Sequence, residues 1–166
     1  MFINDLLLKK HIRRAIKNGL KIGDDFYIRS RIDFGSEPYL ISIGDHVRLA
    51  AGVKFVTHDG GAWVLRQDKN YRDIDVFGPI VIGNNVHVGS NTIIMPNVTI
   101  GDNVIIGCGS VVTRDIPSNS VAVGIPARVI ESINEYKTKV LTKCDYTHNL
   151  NAVEKKKYLE NKYLKK

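Results

Sequence analysis

Large apolar residues recur at every sixth position through the middle of the chain. From Ile22 the steps reach Ile28 and Phe34; after three extra residues they continue at Ile43, Leu49 and Phe55. After a long irregular stretch they resume at Ile82, Val88, Ile94, Ile100, Ile106 and Val112. All twelve positions are large and apolar, and glycine follows many of them, as in the IGD, IGN and VGS triplets. Four residues after most starts stands a small or β-branched residue: Ile32, Val47, Val53, Val86, Thr92, Val98, Val104 and Ser110.

A period of six suits neither an amphipathic helix nor a simple alternating strand. It suits a short strand followed by a sharp corner, repeated. Two apolar positions per unit turn inward, and glycine or asparagine takes up the unusual backbone angles at the corner. Three units close one triangular coil, so each coil rises by one strand spacing, about 4.8 Å. Successive coils then hydrogen-bond to one another, as in other solenoids. The expected fold is mainly β: a parallel β-helix shaped as a triangular prism.

The flanks break this period. Residues 1–21 read as a helical cap, with NDLLLKKHIRRAIKNG forming a short amphipathic helix that Asp5 caps and Gly19 stops. Residues 22–130 hold the prism, with an insert loop over 60–79, and residues 131–166 form a basic helical tail with a helix over roughly 151–164. Both helices are expected to cover the prism ends, where an open solenoid exposes unpaired strand edges.

The phase of the repeat also places side chains. His58 is the fourth residue of the unit that starts at Phe55, and Glu37 is the fourth residue of the unit that starts at Phe34. The two units share a face one coil apart, so Glu37 and His58 are expected to stack at one corner. The period breaks after both of them, with three extra residues after Glu37 and the long insert after His58. A loop leaving a rigid scaffold beside a histidine is where a binding site is expected.

Composition adds limits. The 166 residues suit one main domain. The two cysteines, Cys108 and Cys144, lie far apart and form no metal-binding spacing; a reduced, cytoplasmic setting is the expectation. The run DLLL near the start is too short for a signal segment or a membrane span. The net charge is +7, and residues 132–166, with nine lysines against four acids, carry +5 of it. That tail reads as a solvated basic segment; attraction to anionic ligands, or peripheral membrane association, is the sharper alternative. No zinc finger, RNA-binding signature or phosphate loop indicates a nucleic-acid partner.

Two stretches carry a resemblance. VIGNNVHVGSNTIIMPNVTIGDNVIIGCGSVVTRDIP, followed by GIPARVI at 124–130, resembles the hexapeptide-repeat acyltransferases, and most closely their maltose and galactoside acetyltransferase branch. FGSEPYLISIGDHV resembles bacterial acetyltransferases that decorate capsule and other surface polysaccharides. The resemblance implies a left-handed coil, although the usual crossover rule is right-handed. It implies acetyl-CoA as donor, no metal, a sugar or glycan acceptor, and a homotrimer with the donor groove between two prisms. His58 matches the family's general base, and imidazole titrates in the range such a base needs. Ser90, Cys108, Thr113, Arg114 and Arg128 match donor-contacting positions. The insert, with Trp63, Arg66, Lys69, Tyr71 and Arg72, reads as an acceptor-facing lid, because aromatic rings stack on sugar faces and long polar side chains read hydroxyls. The activity implied is O-acetylation of a sugar hydroxyl in surface or capsular polysaccharide biosynthesis.

Some positions stay open. Glu37 orients His58, contacts the acceptor or faces water. His87 stands where the branch often carries tryptophan and reads as an exposed outward side chain, with a part in the pocket as the alternative; Glu131 stands where the branch often carries a basic residue. For Ser90 and Thr113, ordinary corner packing is the plain alternative, and for the insert a solvated hairpin. His11 and His148 read as surface residues and His46 as a solvent-facing corner. Amino-sugar N-acetyltransferases share the fold and the histidine. A γ-class carbonic anhydrase would need zinc-binding histidines at the places held here by Ser90 and Met95. A serine acetyltransferase carries a long helical N-terminal domain, and a non-catalytic scaffold would have no use for His58 and its insert.

Overall fold

The computed structural model describes residues 6–164. Helix α1 (Leu6–Lys17) leads into thirteen short strands. They are β1 (Lys21–Ile22), β2 (Tyr27–Ile28), β3 (Ile41–Ile43), β4 (Val47–Leu49), β5 (Lys54–Phe55), β6 (Ile80–Ile82) and β7 (Val86–Val88). Then come β8 (Ile93–Ile94), β9 (Val98–Ile100), β10 (Val104–Ile106), β11 (Val111–Val112), β12 (Ser120–Gly124) and β13 (Ala127–Ser132). Three sheets result: β1-β3-β6-β9, β2-β4-β7-β10-β12-β13 and β5-β8-β11. Each strand pairs in parallel with its counterpart one coil on, and only β12 and β13 are antiparallel.

The registers show how the period survives its interruptions. In the later coils Ile80 pairs with Val98, Val86 with Val104 and Ile93 with Val111, eighteen residues apart each time. Across the first interruption Lys21 pairs with Ser42 and Tyr27 with Arg48, and across the insert Ile41 pairs with Ile80 and Lys54 with Ile93. The extra residues are therefore expelled at a corner, and no strand slips. A one-residue slip would turn every inward side chain outward, which the apolar pattern forbids.

The repeat positions form the core. Eleven of the twelve are buried and Ile22 packs against them half-buried. The second inward set, from Ile32 to Ser110, is buried as well. Each fully buried Val, Leu or Ile contributes about 1.5–3 kcal/mol, so two such positions per unit hold the coil closed. The corners need left-handed backbone. Asp25, His46, Asn85, Asn103 and Asn119 all have positive φ between 52° and 61°, and they stack along one edge. Along that edge the Asn85 Nδ2 donates to Asn103 Oδ1 at 2.8 Å and the Asn103 Nδ2 to Asn119 Oδ1 at 3.0 Å. The glycine after a repeat start has a steric reason: a Cβ on Gly89 would sit 2.5 Å from the Cys108 nitrogen on the next coil.

Helix α1 closes the first end of the prism. Ile12 and Ala15 are buried in the core and Leu8 packs against it. The Gly19 N–H donates to Ile16 O and the Leu20 N–H to Ala15 O, a glycine-terminated helix end with φ 97° at Gly19. The Asp5 cap expected from the sequence lies outside the described residues. His11 is not a surface residue. Its Nε2 donates to Ile32 O at 2.8 Å and its ring stacks on Phe34 at 5.9 Å. The histidine thus packs the helix onto the first coil.

The chain divides into two compact units, one ending at Tyr136 and one spanning Lys137–Lys166. In the first, β13 pairs along β12 and so covers that strand's outer edge. Helix α3 (Ile133–Leu141) follows. In the second unit α4 (Ala152–Tyr163) begins at Asn151, whose side chain caps Val153 and Glu154 while Glu154 bonds back to the Asn151 N–H. Asp145 accepts from Tyr158 Oη, Tyr163 Oη and Lys162 Nζ, and no side chain of α4 is buried. These three donors hold the Asp145 carboxyl down at about 2.

Candidate active site

The unit starting at Phe34 and the unit starting at Phe55 stack, with their rings 5.4 Å apart. Three residues further along each unit, Glu37 and His58 meet as the period requires. Glu37 Oε2 lies 3.2 Å from His58 Nδ1 and accepts a shorter bond, 2.6 Å, from the Thr57 hydroxyl. Thr57 is fully buried, and the Glu37 side chain is 14% exposed against 45% for His58. The Thr57 hydroxyl, more than any other group, keeps the Glu37 carboxyl below its usual range, with Ser36 and His58 adding to it against the opposing effect of burial. An ionised Glu37 accepts only, so Nδ1 of neutral His58 carries the proton and Nε2 is the bare nitrogen.

The insert leaves this corner and returns to it. It is not a hairpin: it contains a helical turn, α2 (Ala62–Leu65), and a 3-10 turn over Lys69–Tyr71. His58 and Phe77 form an antiparallel bridge where it comes back, with their rings 6.2 Å apart and edge-on. Between the corner and the insert lies a cavity of about 340 Å³ lined by Glu37, His58, Trp63, Arg66 and Phe77 among others. Trp63 is 76% exposed and stands at its wall. Arg66 also lines it, but its guanidinium is engaged within the insert, by Ile74 O and the Asp75 carboxylate. Tyr71 is half-exposed in the 3-10 turn and does not line this cavity.

Of the five positions that the resemblance matches to donor contacts, four divide between two corners that border the β5-β8-β11 sheet. Ser90 and Cys108 stand at the corner leading into it, where the Gly109 N–H donates to Ser90 O at 2.7 Å. Cys108 is exposed. Thr113 and Arg114 stand at the corner leading out of it, directly after β11. The pairing of Phe55 with Ile94 and of Ile94 with Val112 makes this the corner of His58, two coils further along. Arg128 lies on β13 opposite Val123, next to the first of the two corners, and its guanidinium donates to Ala127 O at 2.8 Å.

His87 is half-buried rather than freely exposed. It pairs with Arg48 on one side and Ile105 on the other, and desolvation, helped by the Arg48 charge, pushes its pKa down. His46 does stand at a solvent-facing corner, bonded to Asp25. Among the described residues no three His, Cys, Asp or Glu side chains gather closely enough to hold a metal ion.

A prism of stacked six-residue units is the frame of a class of transferases. Residues 79–114 match the family described as bacterial transferase hexapeptide (six repeats). The chain belongs to the hexapeptide-repeat acyltransferase family, and its prism is a left-handed parallel β-helix. Among its relatives is Protein CapG of Staphylococcus aureus, 55% identical over 161 residues that span 95% of this chain and 92% of that protein. The galactoside O-acetyltransferase of Escherichia coli K12 is 43% identical over 71% of this chain and 56% of its own length. A solved galactoside acetyltransferase in complex with coenzyme A superposes with a TM-score of 0.58 at 28% identity, over 82% of this chain and 76% of that one.

Proposed function

We propose that the protein transfers an acetyl group from acetyl-CoA directly to a sugar hydroxyl, with His58 as general base. The observation that carries this reading is the Glu37–His58 bond of 3.2 Å at the mouth of the insert cavity. The coenzyme A in a similar solved structure supports the donor, and the galactoside O-acetyltransferase relative supports a sugar hydroxyl as the acceptor. The similarity to CapG supports a role in surface or capsular polysaccharide biosynthesis. No helix among the described residues is long and apolar enough to cross a membrane; a cytoplasmic location, where acetyl-CoA is made, fits this reading.

The chemistry balances without a covalent enzyme intermediate. The acceptor oxygen attacks the thioester carbonyl while His58 Nε2 takes the hydroxyl proton. Glu37, holding Nδ1–H, fixes the tautomer and favours the imidazolium that forms. The tetrahedral adduct collapses, the carbon–sulfur bond breaks, and the thiolate takes the proton back from His58. An acetyl ester and free CoA leave, and the imidazole is neutral again. Holding both substrates together supplies much of the rate.

Ser90 and Cys108 on one corner, and Thr113, Arg114 and Arg128, are the proposed donor contacts. Arg114 and Arg128 suit the nucleotide phosphates. Because the set divides between two corners, a homotrimer with each groove between neighbouring prisms would unite one corner of each. Trp63 offers an aromatic face to the acceptor ring.

An acceptor screen with acetyl-CoA, following free thiol, tests the reading. Thiol release that depends on a sugar acceptor, with a product acetyl group lost to mild base, is the result expected. A base-stable amide on an amino sugar would instead show nitrogen as the nucleophile. Thiol release that no sugar stimulates would overturn the proposal.

A further inference from the structure

A second and larger cavity, of about 520 Å³, lies between α1 and the first coil. Its apolar wall comes from Ala15, Ile32, Phe34 and Pro38, and its polar wall from Arg14, Asn18, Arg31, Asp33 and Ser36. Its size is that of a small-molecule site. Ser36 lines this cavity and the His58 cavity alike, and Glu37 follows it in sequence. The two spaces are thus neighbours across one residue.

The charges here are unspent. Neither Arg14 nor Arg31 forms an ion pair with a carboxylate among the described residues, and neither side chain is engaged in a hydrogen bond there. This contrasts with Arg66, which Asp75 holds, and with Arg29, which bonds Tyr27 Oη at 2.7 Å. Asp33 stands on the same wall, but its Oδ1 accepts the Gly35 N–H at 3.0 Å and shapes the turn. Two guanidiniums face one carboxylate. The Asn18 amide adds further donors, and its own backbone N–H is already used by Arg14 O and Ala15 O.

Two guanidiniums that line one cavity without a protein partner suit a phosphate, which they bind by forked charge-assisted bonds. We propose that this cavity holds the phosphate of a phosphorylated sugar acceptor, with Arg14 and Arg31 as its ligands and the sugar reaching past Ser36 to His58. The inference rests on the acetyl-transfer reading and narrows its acceptor to an anionic class: a sugar phosphate, a nucleoside-diphosphate sugar or a polyprenyl-diphosphate sugar.

The test compares each phosphorylated acceptor with the corresponding free sugar, in the wild-type protein and in Arg14→Ala/Arg31→Ala. The wild-type should prefer a phosphorylated form, and the double variant should lose about 10- to 100-fold of that preference through KM. Arg13→Gln, on the same helix but outside the cavity, should keep the preference. The three acceptor types separate the sources of the phosphate. A wild-type that favours the free sugar, or a double variant that instead raises KM for acetyl-CoA, overturns the inference.

A binding measurement separates the two ideas. Inorganic pyrophosphate titrated into the full chain should shift the Nε–Hε NMR signals of Arg14 and Arg31, and the double variant should lose that binding while keeping its circular dichroism spectrum. If pyrophosphate binds so but no sugar is acetylated, the transfer reading fails and the anion site stands. If those signals do not move, the anion site fails whatever the turnover shows.

Discussion

The coils from Ile80 onward and the corner at Glu37 and His58 are built on the same six-residue rule with opposite outcomes. In the later coils polar groups satisfy one another along the edge: Asn85 bonds Asn103 and Asn103 bonds Asn119. Along that edge the asparagine side chains are spent on one another. At the His58 corner the period is broken twice, and the polar groups converge on a single carboxylate oxygen. That oxygen takes the Thr57 hydroxyl and one ring nitrogen, which leaves the other nitrogen without a proton beside an open cavity. Regularity in a solenoid builds the frame, while the chain expelled from register here brings a carboxylate, an imidazole and a cavity together.

The largest expected effect tests the chemical side. His58→Ala should lower kcat by about two to four orders of magnitude while KM for acetyl-CoA and the thermal midpoint stay near the wild-type values. A variant with near-normal turnover would put the chemistry elsewhere.

The scaffold side follows. Ile106 is fully buried in the later coils, and Ile106→Ala should cost about 2–5 kcal/mol in a denaturant titration. Its turnover per folded molecule should hardly change. A large loss of kcat with little loss of stability would dissolve the distinction between frame and site.

Glu37→Gln sharpens the comparison from the site's own side. Losing the group that orients a working histidine should cost about 10- to 100-fold in kcat. The sign of the pH effect is fixed by charge. Glu37 is held below the usual carboxylate range, so its contribution is complete above that range and is lost as pH falls through its lowered value. Removing this anion disfavours the imidazolium, so the acid limb of kcat/KM should move to lower pH in the variant. A limb that moves upward would mean that Glu37 does not act through His58.

The smallest effect lies in the ladder. Asn103 holds φ 55° and two ladder bonds. Asn103→Ala should therefore cost about 1–2 kcal/mol, and Asn103→Gly, which relieves the backbone, should cost less. Equal losses would show that the left-handed corner contributes little.

Much of this was legible in the chain. The period placed Glu37 on His58 because a coil has a fixed rise and three faces, so equal phase means stacking. Thr113 and Arg114 stood out by resemblance, and it is the strand pairing that puts them on the His58 corner. Thr57 was not legible: within the repeat it is a small corner residue, and its bond to Glu37 depends on a hydroxyl reaching across to the neighbouring coil. The Arg14–Arg31 cavity was not readable either. Arg14 sits on a helix and Arg31 on a coil, and the rotation of a capping helix is set by packing of Ile12, Ala15 and His11 rather than by any repeat. The insert has no period at all, so the capture of Arg66 by Asp75 left no trace in the pattern.

The central claim concerns one proton. The ¹⁵N NMR spectrum of the His58 ring at neutral pH reads it directly. An Nδ1–H tautomer, lost or redistributed in Glu37→Gln, is the predicted result. A ring protonated on Nε2 in the wild-type protein would leave no basic nitrogen for the hydroxyl and would contradict the account.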